Sequence, residues 1–389
     1  MTSTWHLITG EYPPQPGGVS DYTAALARAL AGTGAEVHVW APPVEPAPTF
    51  NDETRVHVHR MPDVFGETGL RMLTAELDQF SGPRTLLVQY VPHAFGSRGM
   101  NVRFCRWVQH RARAAHDDVR MMFHEPYYPF TVWPLRRNVL AVVNRIMAVL
   151  LLSDARVAYV STMDWHRRLN IYAPRALRFV WMPIPAPVSP ARDATRIAEW
   201  RSTIAPDASH RVVGHFGTYG ALVSRFLRPT LELLLQERPS TRICLIGARS
   251  EEFASQLCRE NIEWRARITA TGRLASDEVS ACLSTCDVVV QPYADGASGR
   301  RTTLMAALIN GVAAVTNRGA ATERDWITSD AVEFATRSTP RALRDAVYRV
   351  LDNDGRRAML AASGRALYDR RFAMAHTIEA LTADRGRAS

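Results

Sequence analysis

The stretch VVVQPYADGASGRRTTLMAALINGVAAVTNRGAATE, residues 288–323, decides how this chain is read. An apolar run ends at Gln291-Pro292, a loop of small residues turns through Asp295-Gly296 and Gly299-Arg300-Arg301, and residues 302–309 resume a helical pattern before Gly311. The order is strand, loop, helix, strand. In open α/β sheets ligands sit at the carboxyl ends of the strands, and the first turn of the next helix offers unpaired N–H groups to an anion. Arg300 and Arg301 at that point fit a phosphate-bearing ligand, and an ordinary βα turn with two solvated arginines fits the same residues.

The pattern extends in both directions. Residues 5–9 (WHLIT) read as a strand, followed by GEYPPQPGGVSDYT, in which prolines 13, 14 and 16 forbid helix, Gly17-Gly18 permit a tight turn, and Ser20 or Asp21 can cap a helix running through Leu30. Strands recur at 36–42, 56–61, 85–91, 119–125 and 155–161, then at 211–217, 242–247, 266–272, 287–293 and 312–317. Helical patterns between them argue doubly wound parallel sheets. A chain of 389 residues exceeds what one core usually supports, and the proline-rich segment WMPIPAPVSPA separates two halves of similar size. The expected organisation is an N-terminal domain over 1–182, a stiff linker over 183–191 and a C-terminal domain over 192–365, with the last helix, about 366–389, returning to the first domain.

Composition restricts the chemistry. All 47 basic residues are arginine, so neither a Schiff-base lysine nor a P-loop lysine exists, and phosphate must be held by arginine, backbone N–H groups or a metal. The net charge of +9 favours an anionic partner. No basic run interleaved with aromatics and no zinc-finger spacing is present, so nucleic acid is the weakest such partner. Five cysteines, at 105, 244, 258, 282 and 286, form no CxxC pair and read as reduced thiols of a cytoplasmic protein. Residues 1–10 hold no charged segment leading into a long apolar stretch, so no signal peptide is expected. The segment 98–145 carries nine arginines against Asp117, Asp118 and Glu125, with Phe104, Trp107, Phe130 and Trp133. Two readings stay open for it: peripheral contact with an anionic membrane at its inner face, or a solvated helix whose apolar side is core.

Taken together, the glycine-pair loop after the first strand, FHEPYYP, VAYVST, HFGTYG, TGRLASDEV and the Asp295 stretch make the chain resemble the retaining, nucleotide-sugar-dependent glycosyltransferases of family 4. The resemblance covers nearly the whole chain. It implies an α/β GT-B fold, two facing Rossmann-like domains with a deep interdomain cleft, and a nucleotide diphosphate sugar as donor substrate. It implies no cofactor and no metal; Asp117-Asp118 reads as a solvated turn. The family's signature is a pair of glutamates eight positions apart; here Asp295 matches the first and Thr303 the second, one a shorter carboxylate and the other only a hydroxyl.

By the same resemblance His124 and Asp295 stand at the catalytic positions, Asp295 orienting the sugar. Gly17, Gly18, Gly217, Arg225, Arg228, Gly299, Arg300, Arg301 and Thr302 would surround the donor phosphates, with Arg300 or Arg301 compensating for Thr303. Gly272, Arg273, Leu274 and Thr303 would meet nucleobase and ribose, and Asp21, Tyr90 and Tyr127 the acceptor, whose identity the residues leave open. Departures from the family pattern keep two rivals in view: a member that joins a sugar-like donor to an unusual nucleophile, and a sugar-nucleotide-binding protein without turnover.

Overall fold

The computed structural model describes residues 3–15, 17–45, 55–259 and 261–383. The chain divides into two units, Met1–Pro183 with Met374–Ser389, and Ile184–Ala373. In the first, strands β1 (Thr4–Thr9), β2 (Glu36–Ala41), β3 (Val56–Arg60), β4 (Thr85–Tyr90), β5 (Asp118–Phe123), β6 (Val157–Val160) and β7 (Arg178–Trp181) form one parallel sheet in the order β3-β2-β1-β4-β5-β6-β7. The second repeats the plan with β8 (Arg211–Phe216), β9 (Thr241–Ile246), β10 (Ile268–Ala270), β11 (Val288–Gln291), β12 (Ala314–Thr316) and β13 (Glu333–Phe334), ordered β10-β9-β8-β11-β12-β13. Both are Rossmann-like. Helices cover both faces of such a sheet, which is why the central strands TLLVQY and VVVQ are buried at every position and read as unbroken apolar runs. In each sheet the strand order reverses once, between β1 and β4 and between β8 and β11. Those reversals open the crevices at the carboxyl ends where ligands are held.

Two edge strands, β7 and β13, were not anticipated. RFVW is short and half-exposed and EF has two residues, so neither carries a periodic signal. The segment expected to be a stiff linker is hydrogen-bonded to the second unit. Ile184 N–H donates to Gly299 O (2.8 Å), Ala186 N–H to the Tyr368 hydroxyl (3.3 Å) and Ala191 N–H to Asn310 Oδ1 (2.8 Å), while Ser189 O accepts from Ser280 Oγ (2.5 Å). The C-terminal helix also breaks. Asp354–Arg371 stays with the second unit, where Phe372 stacks on Trp326 (5.1 Å between centroids). Met374–Ala383 belongs to the first, its Leu381 carbonyl accepting from Arg120 Nη1 (2.8 Å); residues 384–389 of the expected helix lie outside the described residues.

The Asp117-Asp118 pair is not a solvated turn. The Asp117 carboxylate is wholly buried between Arg84 Nε (2.6 Å) and Arg111 Nε (2.7 Å), and Asp118 holds the buried Arg120 guanidinium at 2.7 and 3.0 Å. Removing one partner from such a pair leaves an uncompensated buried charge, which typically costs about 3–5 kcal/mol.

Of the histidines in or just after the strands, four have strongly lowered pKa values. Burial first, then neighbouring histidine charge, lowers His6 to about 3 and His38 to about 4; burial lowers His124 to about 3, and His215 to about 4 despite its bond to the Val290 carbonyl. Each folded-state pKa lies below the unfolded value near 6.5, so the unfolded chain takes up protons that the folded chain refuses. Stability is therefore intact above pH 6.5 and declines as pH falls towards 4. Urea unfolding across that range is expected to show a steadily falling midpoint, and His215→Asn to flatten the slope.

Candidate functional site

At the β8/β11 reversal of the second unit, the loop leaving β11 is fixed mainly through its backbone. The Asn317 side chain continues the sheet past the end of β12, accepting from Tyr293 N–H (2.8 Å) and donating to Tyr293 O (2.7 Å). Gly296 has φ +90°, and a Cβ on it would collide with Gly319 N; a Cβ on Gly319 would collide with the Asp295 carbonyl. The two glycines thus let the loops after β11 and β12 touch backbone to backbone. Ala321 N–H donates to Asp295 O (2.9 Å) and Ala297 N–H to Asn317 O (3.1 Å), which completes the clamp.

Asp295 is the centre of what this clamp holds. Its carboxylate accepts from Arg300 Nη2 (2.8 Å) and pairs with Arg301 Nη2. The Arg301 guanidinium also lies over the Tyr293 ring, 4.5 Å from its centroid. Tyr293 shares a hydrogen bond with Thr303 Oγ1 (2.8 Å), and burial raises its phenol to about 12, so it stays protonated. On the other side of the loop, Gly299 N–H lies 3.2 and 3.1 Å from the two oxygens of Glu323, which also accepts from Trp326 Nε1 (3.1 Å). Helix Thr302–Ile309 then begins with Arg301 at its cap.

The loop leaving β8 supplies the opposite wall. Gly214 lies inside the strand, where a Cβ would sit 2.5 Å from Cys286 Sγ. His215 Nδ1–H donates to Val290 O (2.8 Å) and Gln291 Nε2 to Phe216 O (3.1 Å), which ties the end of β8 to the end of β11. Tyr219, at φ +57°, donates its hydroxyl towards the carbonyls of His215 (3.2 Å) and Ile246 (3.1 Å). Gly220 then caps helix Ala221–Glu237, its carbonyl accepting from Val223 and Ser224. Gly217 bonds the Ile246 carbonyl through its N–H (3.1 Å). Next along the sheet, Gly272 (φ +64°) donates to Ser250 Oγ (2.8 Å), with Arg273 exposed and Leu274 half-buried beyond it.

Several sequence-based expectations change here. Arg300 and Arg301 are both paired with Asp295, so the three side chains form one charge cluster in this structure. Thr303 shares its hydroxyl with Tyr293. Arg228 is paired along its own helix with Glu232 (2.8 Å), whereas Arg225 is exposed and has no carboxylate partner among the described residues. Thr302 opens its helix beside Gly299, as the local pattern required.

In the first unit the loops at the β1/β4 reversal also approach closely, since a Cβ on Gly10 would strike the Ala94 carbonyl. Gly17 is extended, with Glu11 Oε2 2.5 Å from where its Cβ would be, while Gly18 opens helix Gly18–Gly32 and Asp21 is exposed in its first turn. His124 follows β5, buried, its Nε2–H donating to Gln89 Oε1 (2.8 Å) with the Tyr22 ring edge-on at 5.2 Å. Because burial holds it near 3, the ring is neutral and supplies no positive charge; only Nδ1 remains to meet a ligand. Tyr90 is fully buried between Phe95 and Phe123 and belongs to the core, which removes it from the acceptor residues. Tyr127 is nearly buried against Trp165 and Tyr172, under the Arg145 guanidinium (4.3 Å).

Residues 211–353 match the family described as Glycosyl transferases group 1, a span that contains both walls of the β8/β11 crevice. The whole chain superposes on sucrose-phosphate synthase from Thermosynechococcus elongatus with a TM-score of 0.73 at 15% identity, covering 100% of both chains. It superposes on Anabaena HepE in complex with UDP and glucose with a TM-score of 0.69 at 14% identity, covering 99% of this chain and 100% of that one. A glycosyltransferase from Rickettsia africae gives 0.71 at 9% identity, covering 98% and 97%. The fold is the GT-B fold of these enzymes. No curated protein sequence matches the chain.

Glu323 escaped the sequence reading as a site residue. It lies 24 positions from Gly299, and no local pattern announces a carboxylate that accepts a backbone N–H at that separation. The clamp predicts a contrast among glycines. Gly319→Ala and Gly296→Ala should each lower unfolding free energy by about 1–3 kcal/mol, as overpacking does. Gly18→Ala, where a Cβ meets nothing within 4 Å, should stay within about 1 kcal/mol of the parent in the same urea titration.

Proposed function

We propose that the protein is a retaining glycosyltransferase that moves a sugar from a nucleotide diphosphate sugar, with a uridine diphosphate sugar the first donor to test, to the hydroxyl of an acceptor in bacterial glycoconjugate or secondary-metabolite synthesis. The observation that carries the reading is the Asp295–Arg300–Arg301 cluster, clamped at the sheet reversal opposite the Gly217–Gly220 loop, inside the span that matches the glycosyltransferase family. A UDP complex of a neighbour with the same fold supports the choice of donor.

In the proposed reaction the bond between the anomeric carbon and the diphosphate oxygen breaks, and its electron pair leaves with the diphosphate. The acceptor oxygen forms the new bond on the same face, and its proton passes to the departing phosphate oxygen. The nucleophile is thus the acceptor itself. The protein's contribution is to place charge where charge develops. Diphosphate entering beside Arg300 and Arg301 competes with Asp295 for their guanidinium groups, which frees the carboxylate to accept from the sugar hydroxyls. Arg225, exposed at the head of its helix, is the arginine free to close on the phosphates from the other wall. Neutral His124 can accept a hydrogen bond at Nδ1.

Assays with UDP-, GDP-, ADP- and TDP-sugars should find donor hydrolysis or transfer with one of them, the product keeping the donor's anomeric configuration by NMR. Asp295→Ala should reduce turnover about a hundredfold, the scale of losing one oriented electrostatic contact. It should weaken nucleotide binding far less. Unchanged turnover in Asp295→Ala refutes the assigned role, and tight nucleotide binding without turnover on any donor refutes the enzyme reading.

A further inference from the structure

The surface of the first unit carries a feature that nucleotide and sugar chemistry does not use. Helix Arg137–Ser153 is apolar on both faces. Ala141, Asn144, Met147, Ala148, Leu151 and Leu152 are buried in the core. Val139, Val142, Ile146 and Val149 lie on the outside, spaced three and four apart, and are 40–61% exposed. A helix with two apolar faces normally has something on each. The loop that leads into it enlarges the patch, with Val132 92%, Trp133 82%, Leu135 64% and Phe130 56% exposed.

The loop and the helix themselves carry charge of one sign. Residues 126–153 contain Arg136, Arg137 and Arg145 and no acidic residue. Arg136 and Arg137 are exposed and have no carboxylate partner among the described residues. Arg145 lies over the Phe130 ring (4.0 Å) and bonds only to the Tyr128 and Ala141 carbonyls in the hydrogen bonds resolved for it. Across 98–145 the buried Arg111 and Arg120 are cancelled by Asp117 and Asp118, and of the seven remaining arginines Arg103 pairs with Glu67 and Arg113 with Asp154, which leaves five against Glu125. Of the large apolar residues noted in that segment, Phe104 is core and Trp107 is bonded to Thr74, so the exposed ones are Phe130 and Trp133.

We infer that this face, the 130–135 loop with the outer side of helix Arg137–Ser153, docks on the surface of an anionic bilayer. Val132, Trp133, Leu135 and Val139 enter the boundary between headgroups and acyl chains, and Arg136 and Arg137 meet lipid phosphates at the level of the headgroups. No helix among the described residues is long and apolar enough to cross a membrane, so the contact is peripheral. A second copy of the chain would set the same arginines against each other, whereas an anionic lipid surface satisfies both the apolar patch and its charge.

Co-sedimentation of the full chain with vesicles of phosphatidylethanolamine and phosphatidylglycerol, against vesicles of phosphatidylcholine alone, tests this. Binding is expected only to the anionic vesicles and should weaken with salt. Arg136→Glu with Arg137→Glu, both exposed positions, should lower partitioning at least about tenfold, since each arginine near such a surface contributes about fivefold. Val132→Ser with Trp133→Ser should do the same, and Ile262→Ser, an exposed apolar side chain of the second unit, should change nothing. Absence of binding by the parent chain overturns the inference, as does equal loss in Ile262→Ser. A dimer in sedimentation velocity that Val139→Arg disperses, in a chain that ignores vesicles, would assign the face to a second copy instead.

Discussion

The close approach of Gly296 and Gly319 is the constraint on which the candidate site depends. Two parallel strands end side by side, and the loops that leave them would normally diverge because side chains keep backbones apart. With hydrogen in place of Cβ at both positions the loops lock together, and the Asp295 carbonyl is captured by Ala321. The Asp295 side chain is then presented to Arg300 and Arg301 from a backbone that has little freedom left. Glu323 performs the corresponding task at Gly299, holding its N–H through both carboxylate oxygens, while Ile184 secures the Gly299 carbonyl. A site that has to hold its side chains in fixed positions benefits from being built on such a frame.

A chain without lysine meets every demand for positive charge with a planar, permanently protonated group. The consequences are visible in three settings. Buried, arginine pairs with carboxylates from several directions, as Arg84 and Arg111 do around Asp117. At the site, two neighbouring arginines share one carboxylate. At the surface of the first unit, Arg136 and Arg137 border an apolar patch. The same residue type thus stands in a buried pair, in a charge cluster at the candidate site and beside an exposed apolar patch, and its surroundings set its charge environment.

The alternating strand and helix pattern was legible because parallel strands covered on both faces must be apolar along their length, as TLLVQY and VVVQ are. The hinge region and the glycine loops were legible for a related reason, since proline and glycine restrict the backbone before any tertiary contact forms. Strands β7 and β13 were missed because a short edge strand draws its partner from elsewhere in the chain. Tyr90 was misplaced because a tyrosine at the end of a strand reads the same whether its ring faces a crevice or Phe95 and Phe123. The proline-rich segment was read as a stiff linker without partners in the second unit, because its bonds run to Gly299, Asn310 and Tyr368, all far along the chain.

The sequence by itself determined that the chain forms two Rossmann-like α/β units with a loop bearing Asp295, Arg300 and Arg301 at the end of a central strand, because periodicity and turn chemistry are local properties. Only the tertiary structure decided what those residues do to one another. The pairing of Asp295 with both arginines, the capture of Thr303 by Tyr293, the neutrality of His124 and the exposure of Trp133 all depend on groups brought together from distant positions. Burial and pairing set charge state and availability, and neither is a property of a residue in isolation.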